Sequence, residues 1–281
     1  MDSTRRLPPA LVEHARAFRA GDGAPVVPKG AATVVLLREP EGYGDRLQVY
    51  VLRRHLAMAF AAGMYAFPGG TVDPRDSDRS LAWSGPSPAV WAERLSCDEA
   101  AARALVCAAV RETFEESGVL LAGPTADSVV DDTRGDGWER DRAALVDHSL
   151  SFADFLSARR LVLRSDLLAP WAHWITPEFE PRRYDTRFFV AALPRGQRTR
   201  DVSGEADTVA WLTAADAMAG VDSGAMLMLP PTYVTLREMS AFSTVEEVLA
   251  AALVRRIITV VPGVELVGDE AWLTLPPELL P

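Results

Sequence analysis

The segment Arg111-Glu112-Thr113-Phe114-Glu115-Glu116-Ser117-Gly118-Val119 places three glutamates at i, i+3 and i+4. On a helix, at roughly 100° per residue, their side chains fall on one face. Like charges so arranged repel one another unless cations compensate. Carboxylate oxygens are the hard ligands that Mg²⁺ and Mn²⁺ select. The same pattern also describes the solvated face of an amphipathic helix, with Arg111 pairing to Glu115 one turn on. The helix alone leaves both readings open.

The elements that must hold this helix can be read from the flanking sequence. Ser96-Cys97-Asp98-Glu99 has the S-x-x-E form of a capping box, so the helix is expected to start at Ser96 and to stop at Gly118. Upstream, Gly30 to Leu37 is a short β-branched apolar run, and Leu47 to Leu52 is another, joined by a turn containing Pro40, Gly42 and Gly44. These predict a hairpin of buried strands. Gly63 to Gly70 (GMYAFPGG) reads as a further strand whose Pro68-Gly69-Gly70 ending lets backbone approach a ligand closely. The stretch from about 71 to 97, rich in Asp, Ser and Pro, is longer than an ordinary connection and reads as an insertion. Residues 123–170 read as acidic loops with helical pieces around Arg140 to Val146 and Phe152 to Leu161. Strand-like runs follow at Trp171 to Thr176, Tyr184 to Ala192 and Thr208 to Leu212, then helices at Thr213, Thr232 to Met239 and Thr244 to Ile258. Strands interleaved with helices predict an α/β sandwich.

Composition narrows the function classes. The 281 residues carry a formal net charge of -10, which repels polyanions, so duplex nucleic acid is not an expected partner. The N-terminal segment lacks the apolar region of a secretory signal, and no run of about 18 apolar residues is present, so no membrane association is expected. Cys97 and Cys107, ten positions apart on one helix, are too distant to bridge and suit a reducing cytoplasm. No P-loop and no GxGxxG after a strand occurs. His14, His55, His148 and His173 show no metal-ligand spacing.

Taken together, the helix and the upstream glycines resemble the Nudix box, G-x5-E-x7-R-E-U-x-E-E-x-G-U, where U is a bulky aliphatic residue. Arg111, Glu112, Glu115, Glu116, Gly118 and Val119 match it position for position, and Gly70 resembles its opening glycine. Two residues depart from the pattern. Thr113 stands at an aliphatic position, and Arg103, eight before Arg111, stands where counting back along the helix places the box glutamate, with Glu99 one turn earlier as a substitute. Gly70 and Arg111 are 41 positions apart where the pattern has 14, which implies an insertion of 27 residues. A long insert resembles the branch of the family that includes peroxisomal coenzyme A diphosphatases. WITP at Trp174, RRYDTRFFVA at Arg182, GEADTVAWLT at Gly204 and PPTYVTLRE at Pro230 are similar to that branch too.

The resemblance implies a Nudix-type α/β/α sandwich with a mixed sheet, spanning residues 29–281 after an N-terminal extension of residues 1–28. It further implies an insertion inside the Nudix box and extra helices over about 230–260. The implied activity is hydrolysis of the diphosphate bond of a nucleotide derivative with Mg²⁺ or Mn²⁺ as cofactor. Gly70, Glu112, Glu115 and Glu116 are the implied metal ligands. Arg111 is expected to hold a glutamate in place, with Glu112 or Glu205 as the base and Asp207 as a rival to Glu205. Arg53, Arg54, Phe67 and Gly69 are candidate substrate contacts, and Tyr65 and Trp91 are candidates to stack on a base. Gly63-x3-Phe67-Pro-Gly-Gly resembles the tail of a coenzyme A diphosphatase signature, with Ala59 where that signature has arginine. A CoA or acyl-CoA is therefore the expected substrate. A binding module without catalysis, and a diphosphatase of nucleotide sugars or free triphosphates, are the alternatives. A homodimer is the expected assembly.

Overall fold

The computed structural model describes residues 6–21, 24–39, 46–56, 61–201 and 206–279. Its strands are β1 (Lys29–Arg38), β2 (Gln48–Arg54), β3 (Tyr65–Ala66), β4 (Gly69–Thr71), β5 (Trp83–Ser84), β6 (Ala122–Gly123), β7 (Val162–Arg164), β8 (Ala169–Ile175), β9 (Tyr184–Ala192), β10 (Ala206–Thr213), β11 (Thr259–Val260), β12 (Gly263–Val267) and β13 (Glu270–Thr274). Its helices are α1 (Pro9–Arg19), α2 (Pro88–Leu95), α3 (Glu99–Ser117), α4 (Asp136–Val146), α5 (Phe152–Ala158), α6 (Ala214–Asp222), α7 (Pro230–Met239) and α8 (Val245–Val254).

The main sheet runs β10-β2-β1-β9-β8-β11, with β3 on β2 and β4 on β1. It is mixed: β1 is antiparallel to β2 and β4 and parallel to β9. The near-continuous apolar run of β1 follows from burial on both faces. Successive side chains alternate, so Val34 and Leu36 pack with α3, whereas Val35 and Leu37 pack with α6, α7 and α8. The expected α/β/α sandwich with a mixed sheet is what these two cores make. The hairpin expected from the first two apolar runs is the β1–β2 pair; its turn at 40–45 lies outside the described residues. Among the described residues no helix is long and apolar enough to cross a membrane.

Several boundaries differ from the sequence reading. Ser96 does not cap the carboxylate helix: it ends α2 in the left-handed region at φ 52°, and Asp98 is the cap of α3, accepting from the Ala101 N–H at 2.8 Å. The stretch 71–97 is not mere loop, because it contains α2 and a 3₁₀ turn at Pro74–Ser77. Trp91 of α2, fully buried, packs edge-on against Phe189 at 5.8 Å, which removes it from the candidates for base stacking. The expected strand from Gly63 to Gly70 is two short ones, β3 and β4.

The second insertion, obscure in sequence, braces the back of α3. Phe155 stacks on Phe114 at 5.2 Å, and buried Arg142 of α4 donates to the Glu115 carbonyl at 2.7 Å. Thr113 fits its aliphatic position because its hydroxyl donates to the Ala109 carbonyl at 2.7 Å, so the buried hydroxyl is itself paired. Both cysteines are free, as the spacing required.

Candidate active site

The centre of the site is Arg111, whose side chain is 7% exposed. Its Nη1 donates to Glu112 at 2.8 Å and to Glu115 at 3.2 Å, and its Nη2 donates to the Thr71 carbonyl at 2.9 Å. Its remaining donors are taken by Asp76: Nε to Oδ1 at 3.0 Å and Nη2 to Oδ2 at 2.9 Å, a bidentate pair with the carboxylate 1% exposed.

Asp76 is the buried partner of Arg111 that the sequence reading missed. Counting back from Arg111 along the helix led to Arg103, but that side chain turns away from the site and lies over Trp83 at 5.2 Å. Glu99, the proposed substitute, is exposed near Arg103 on the far end of α3, outside the carboxylate cluster. Counting forward from Gly70 gives the pattern's G-x5-E spacing with an aspartate at its end. The 27 extra residues therefore fall between Asp76 and Arg111, not before the box acid. The Asp73 side chain caps the 3₁₀ turn, and the Asp73 N–H donates to Asp76 at 2.8 Å, which fixes the acid toward Arg111. The signal lay in the Gly70 spacing.

The FPGG turn meets the helix directly. The Gly69 N–H donates to Glu116 Oε2 at 2.7 Å. A Cβ placed on Gly70 would lie 2.5 Å from Glu112 Oε1, and one on Gly69 would lie 2.5 Å from the Ala32 carbonyl. Neither position admits a side chain without displacing its neighbour. The glycines thus bring bare backbone to the carboxylates.

Asp76, Glu112 and Glu115 face a single guanidinium, and Glu116 beside them is held by the Gly69 N–H. Burial raises the Glu112 carboxyl to about 7; Arg111 opposes the rise and Glu115 adds to it. Burial raises Glu115 as well, again opposed by Arg111. On Arg111, burial works to lower the pKa, but Asp76, Glu112 and Glu115 outweigh it and the guanidinium stays charged. Such an excess of buried acid fits a divalent cation, which would offset the burial cost and the repulsion from Glu115 that raise Glu112. In the structure the carboxylates turn onto Arg111 and Gly69, and no set of three metal-binding side chains converges on one point among the described residues.

These residues form the floor of a cleft of about 2090 Å³. Phe67, Gly69, Gly70 and Arg54 line it, together with Glu112, Glu115 and Glu116. Arg53 is not among the lining residues; it pairs with Asp207 at 2.5 Å on the sheet edge, which also occupies the rival to Glu205. Tyr65 is half-buried beside Arg53 in the β2–β3 pair. Glu205 and Ala59 lie outside the described residues. Of the histidines, His173 is buried against Asp185 and Thr259, and His148 is exposed at the cleft rim.

With that geometry in place, comparison with known proteins is informative. The model of the NUDT19 Nudix domain matches residues 87–239, more than half of the chain. The chain belongs to the NUDT19 Nudix family. The match begins after FPGG and Asp76, so the first half of the box rests on the geometry described above. An acyl-coenzyme A diphosphatase NUDT19 of Xenopus laevis is 25% identical over 264 residues, covering 80% of this chain and 66% of the relative. The human protein of the same name is 25% identical over 279 residues, covering 85% of this chain and 69% of its own. A putative nudix hydrolase 7 of Caenorhabditis elegans is 24% identical, and the chain spans 56% of its length. The chain thus spans somewhat less than two thirds of the Xenopus and Caenorhabditis relatives. A crystal structure of a Nudix hydrolase from Alicyclobacillus acidocaldarius superposes with a TM-score of 0.68 at 28% identity, covering 80% of this chain and 96% of that one.

Proposed function

We propose that this protein is a Mg²⁺- or Mn²⁺-dependent diphosphohydrolase that cleaves the diphosphate bond of CoA or an acyl-CoA. The observation that carries the reading is the convergence of Asp76, Glu112 and Glu115 on Arg111, with Glu116 held by bare glycine backbone, where Arg111 and the three glutamates line a cleft large enough for such a substrate. The names of the Xenopus and human relatives support the choice of substrate.

Hydrolysis of a diphosphate is slow because its negative charge repels the incoming oxygen nucleophile. Glu112, Glu115 and Glu116, with the carbonyl of Gly70, would hold the divalent cation, which when bound neutralises charge on the diphosphate. Arg111 keeps Glu112 and Glu115 at the floor, and Asp76 keeps Arg111 there. Glu112 accepts a proton from the attacking water as its oxygen bonds to phosphorus and the bridging P–O bond breaks. Arg54 and Gly69 face the phosphates, and Phe67 closes the cleft beneath them. The same reading takes the chain as cytoplasmic and homodimeric, which fractionation and sedimentation velocity would check.

The test is hydrolysis of CoA, acyl-CoAs, nucleotide sugars, dinucleotides and free triphosphates with Mg²⁺, Mn²⁺ or EDTA, using wild type beside Glu115→Gln and Glu116→Gln. The expected result is 4′-phosphopantetheine and adenosine 3′,5′-bisphosphate from CoA, abolished by EDTA and reduced at least 100-fold in both variants, the scale of lost acid–base or electrostatic groups. Nucleotide binding without turnover of any substrate would overturn the catalytic reading.

A further inference from the structure

Both ends of the described chain come together at the cleft. Leu7, Val12 and Ala15 around α1 join Ala271 and Leu273 of β13 in a small hydrophobic cluster separate from the two main cores. The Leu7 N–H donates to the Ala271 carbonyl at 2.9 Å, Arg16 donates to the Gly268 carbonyl at 2.8 Å, and Arg6 pairs with Glu270. One aromatic ring from the main domain completes this cluster: Phe179, on the loop between β8 and β9. Buried Arg183 of the same loop donates to the Thr176 carbonyl at 3.0 Å and to the Val26 carbonyl at 2.7 Å, tying the leader of β1 to the loop. Helix α1 with Leu7 before it and the β12–β13 hairpin are therefore one cap, seated on the domain through the Phe179 loop.

The cap forms a wall of the same cleft whose floor is the carboxylate helix. Its charges are balanced locally. Arg6 and Arg16 face Glu270 and Asp269, while Glu13 and Glu180 add two further acids to the lining and Arg182 one further cation. Apolar Leu11 and Pro8 lie among them. Burial holds the Glu180 carboxyl up to about 7, so it is able to donate as well as accept a hydrogen bond near neutrality. A wall with no surplus of positive charge does not attract phosphates. It suits an uncharged chain bearing amide and hydroxyl groups. The cleft volume of about 2090 Å³ also exceeds the range of roughly 300–1,000 Å³ typical of small-ligand pockets.

We propose that the cap built from α1 and the β12–β13 hairpin, with Leu11 and Glu180 as its contacts, grips the uncharged amide-bearing arm of the substrate beyond the diphosphate. The proposal rests on the CoA reading and adds an orientation to it: the pantetheine arm lies along the cap, and the nucleotide lies away from it.

Product inhibition separates the two ends of the substrate. Glu180→Leu and Leu11→Asp are assayed with CoA, with 4′-phosphopantetheine and adenosine 3′,5′-bisphosphate as inhibitors. Both variants are expected to raise the inhibition constant of 4′-phosphopantetheine at least fivefold and to leave that of adenosine 3′,5′-bisphosphate within twofold, with the loss on CoA falling on KM rather than kcat. Glu180→Leu removes an acid from apolar surroundings, so it keeps its fold even where Leu11→Asp loosens the cap. Unchanged inhibition by both products, or weakening confined to the bisphosphate, overturns the cap assignment while leaving the CoA reading intact. Failure of the wild type to cleave CoA overturns the CoA reading and, with it, the cap's assigned ligand.

Discussion

Asp76→Asn is the substitution that most directly tests how the site is assembled. The wild-type carboxylate, 1% exposed, makes two bonds to Arg111 and accepts one from the Asp73 N–H. Breaking a buried ion pair by removing one partner costs about 3–5 kcal/mol. Arg111 keeps Glu112 and Glu115, and the asparagine oxygen keeps an acceptor, so the expected loss is about 2–3 kcal/mol. Urea unfolding monitored by tryptophan fluorescence measures it. Outer groups that orient metal-binding side chains contribute about 10–100-fold to activity, so kcat on CoA should fall by that amount. Arg103→Glu, which restores a glutamate at the position found by counting back from Arg111, is the control: it loses a cation–π contact, worth about 0.5–1 kcal/mol, and a long exposed bond to the Asp78 carbonyl, and activity stays within twofold. A destabilisation below about 1 kcal/mol for Asp76→Asn with unchanged kcat, or a gain of activity in Arg103→Glu, would refute the placement of Asp76 as the box acid.

Further outcomes follow from the same geometry. Gly70→Ala puts a methyl group against the Glu112 carboxylate, and activity should drop at least tenfold while thermal stability changes little, because the side chain displaced borders the cleft and not the core. Arg54→Ala should raise KM for CoA about tenfold, the effect of losing one charge-assisted phosphate contact, and Arg53→Ala less than threefold, since Arg53 faces Asp207. Glu180→Gln should stabilise the protein at pH 8 and not at pH 4. The wild-type carboxyl, raised by burial to about 7, favours the folded state only while protonated, and that advantage is lost as pH rises from the ordinary carboxylate range through 7. After discounting for its partial exposure the difference at pH 8 should be roughly 1–2 kcal/mol by urea titration, and an identical pH profile in the variant would contradict it.

What could be read from the sequence was local. The i, i+3, i+4 carboxylates, the glycine that ends α3 at φ 72° and the alternation of β1 between two faces are consequences of helix and strand periods, which neighbouring residues express by themselves. From them came the sandwich, the carboxylate helix and the family. Where two local solutions competed, the tertiary structure chose. Ser96 and Asp98 both have capping chemistry, and Asp98 prevails because Ser96 already closes α2, a helix hidden in what read as a polar insertion.

The partner of Arg111 was decided in the same way. Arg103 shares its helix, but only the fold carries Asp76 across 35 positions to a bidentate contact, because the 3₁₀ turn after FPGG packs on α3 while the inserted residues loop out beyond it. The cap lay furthest from sequence reasoning. Its two halves sit at opposite ends of the chain, and neither buries an apolar face until Phe179 and the other half supply the remaining surface. Periodicity reports which face of an element is apolar; what covers that face is a property of the folded chain.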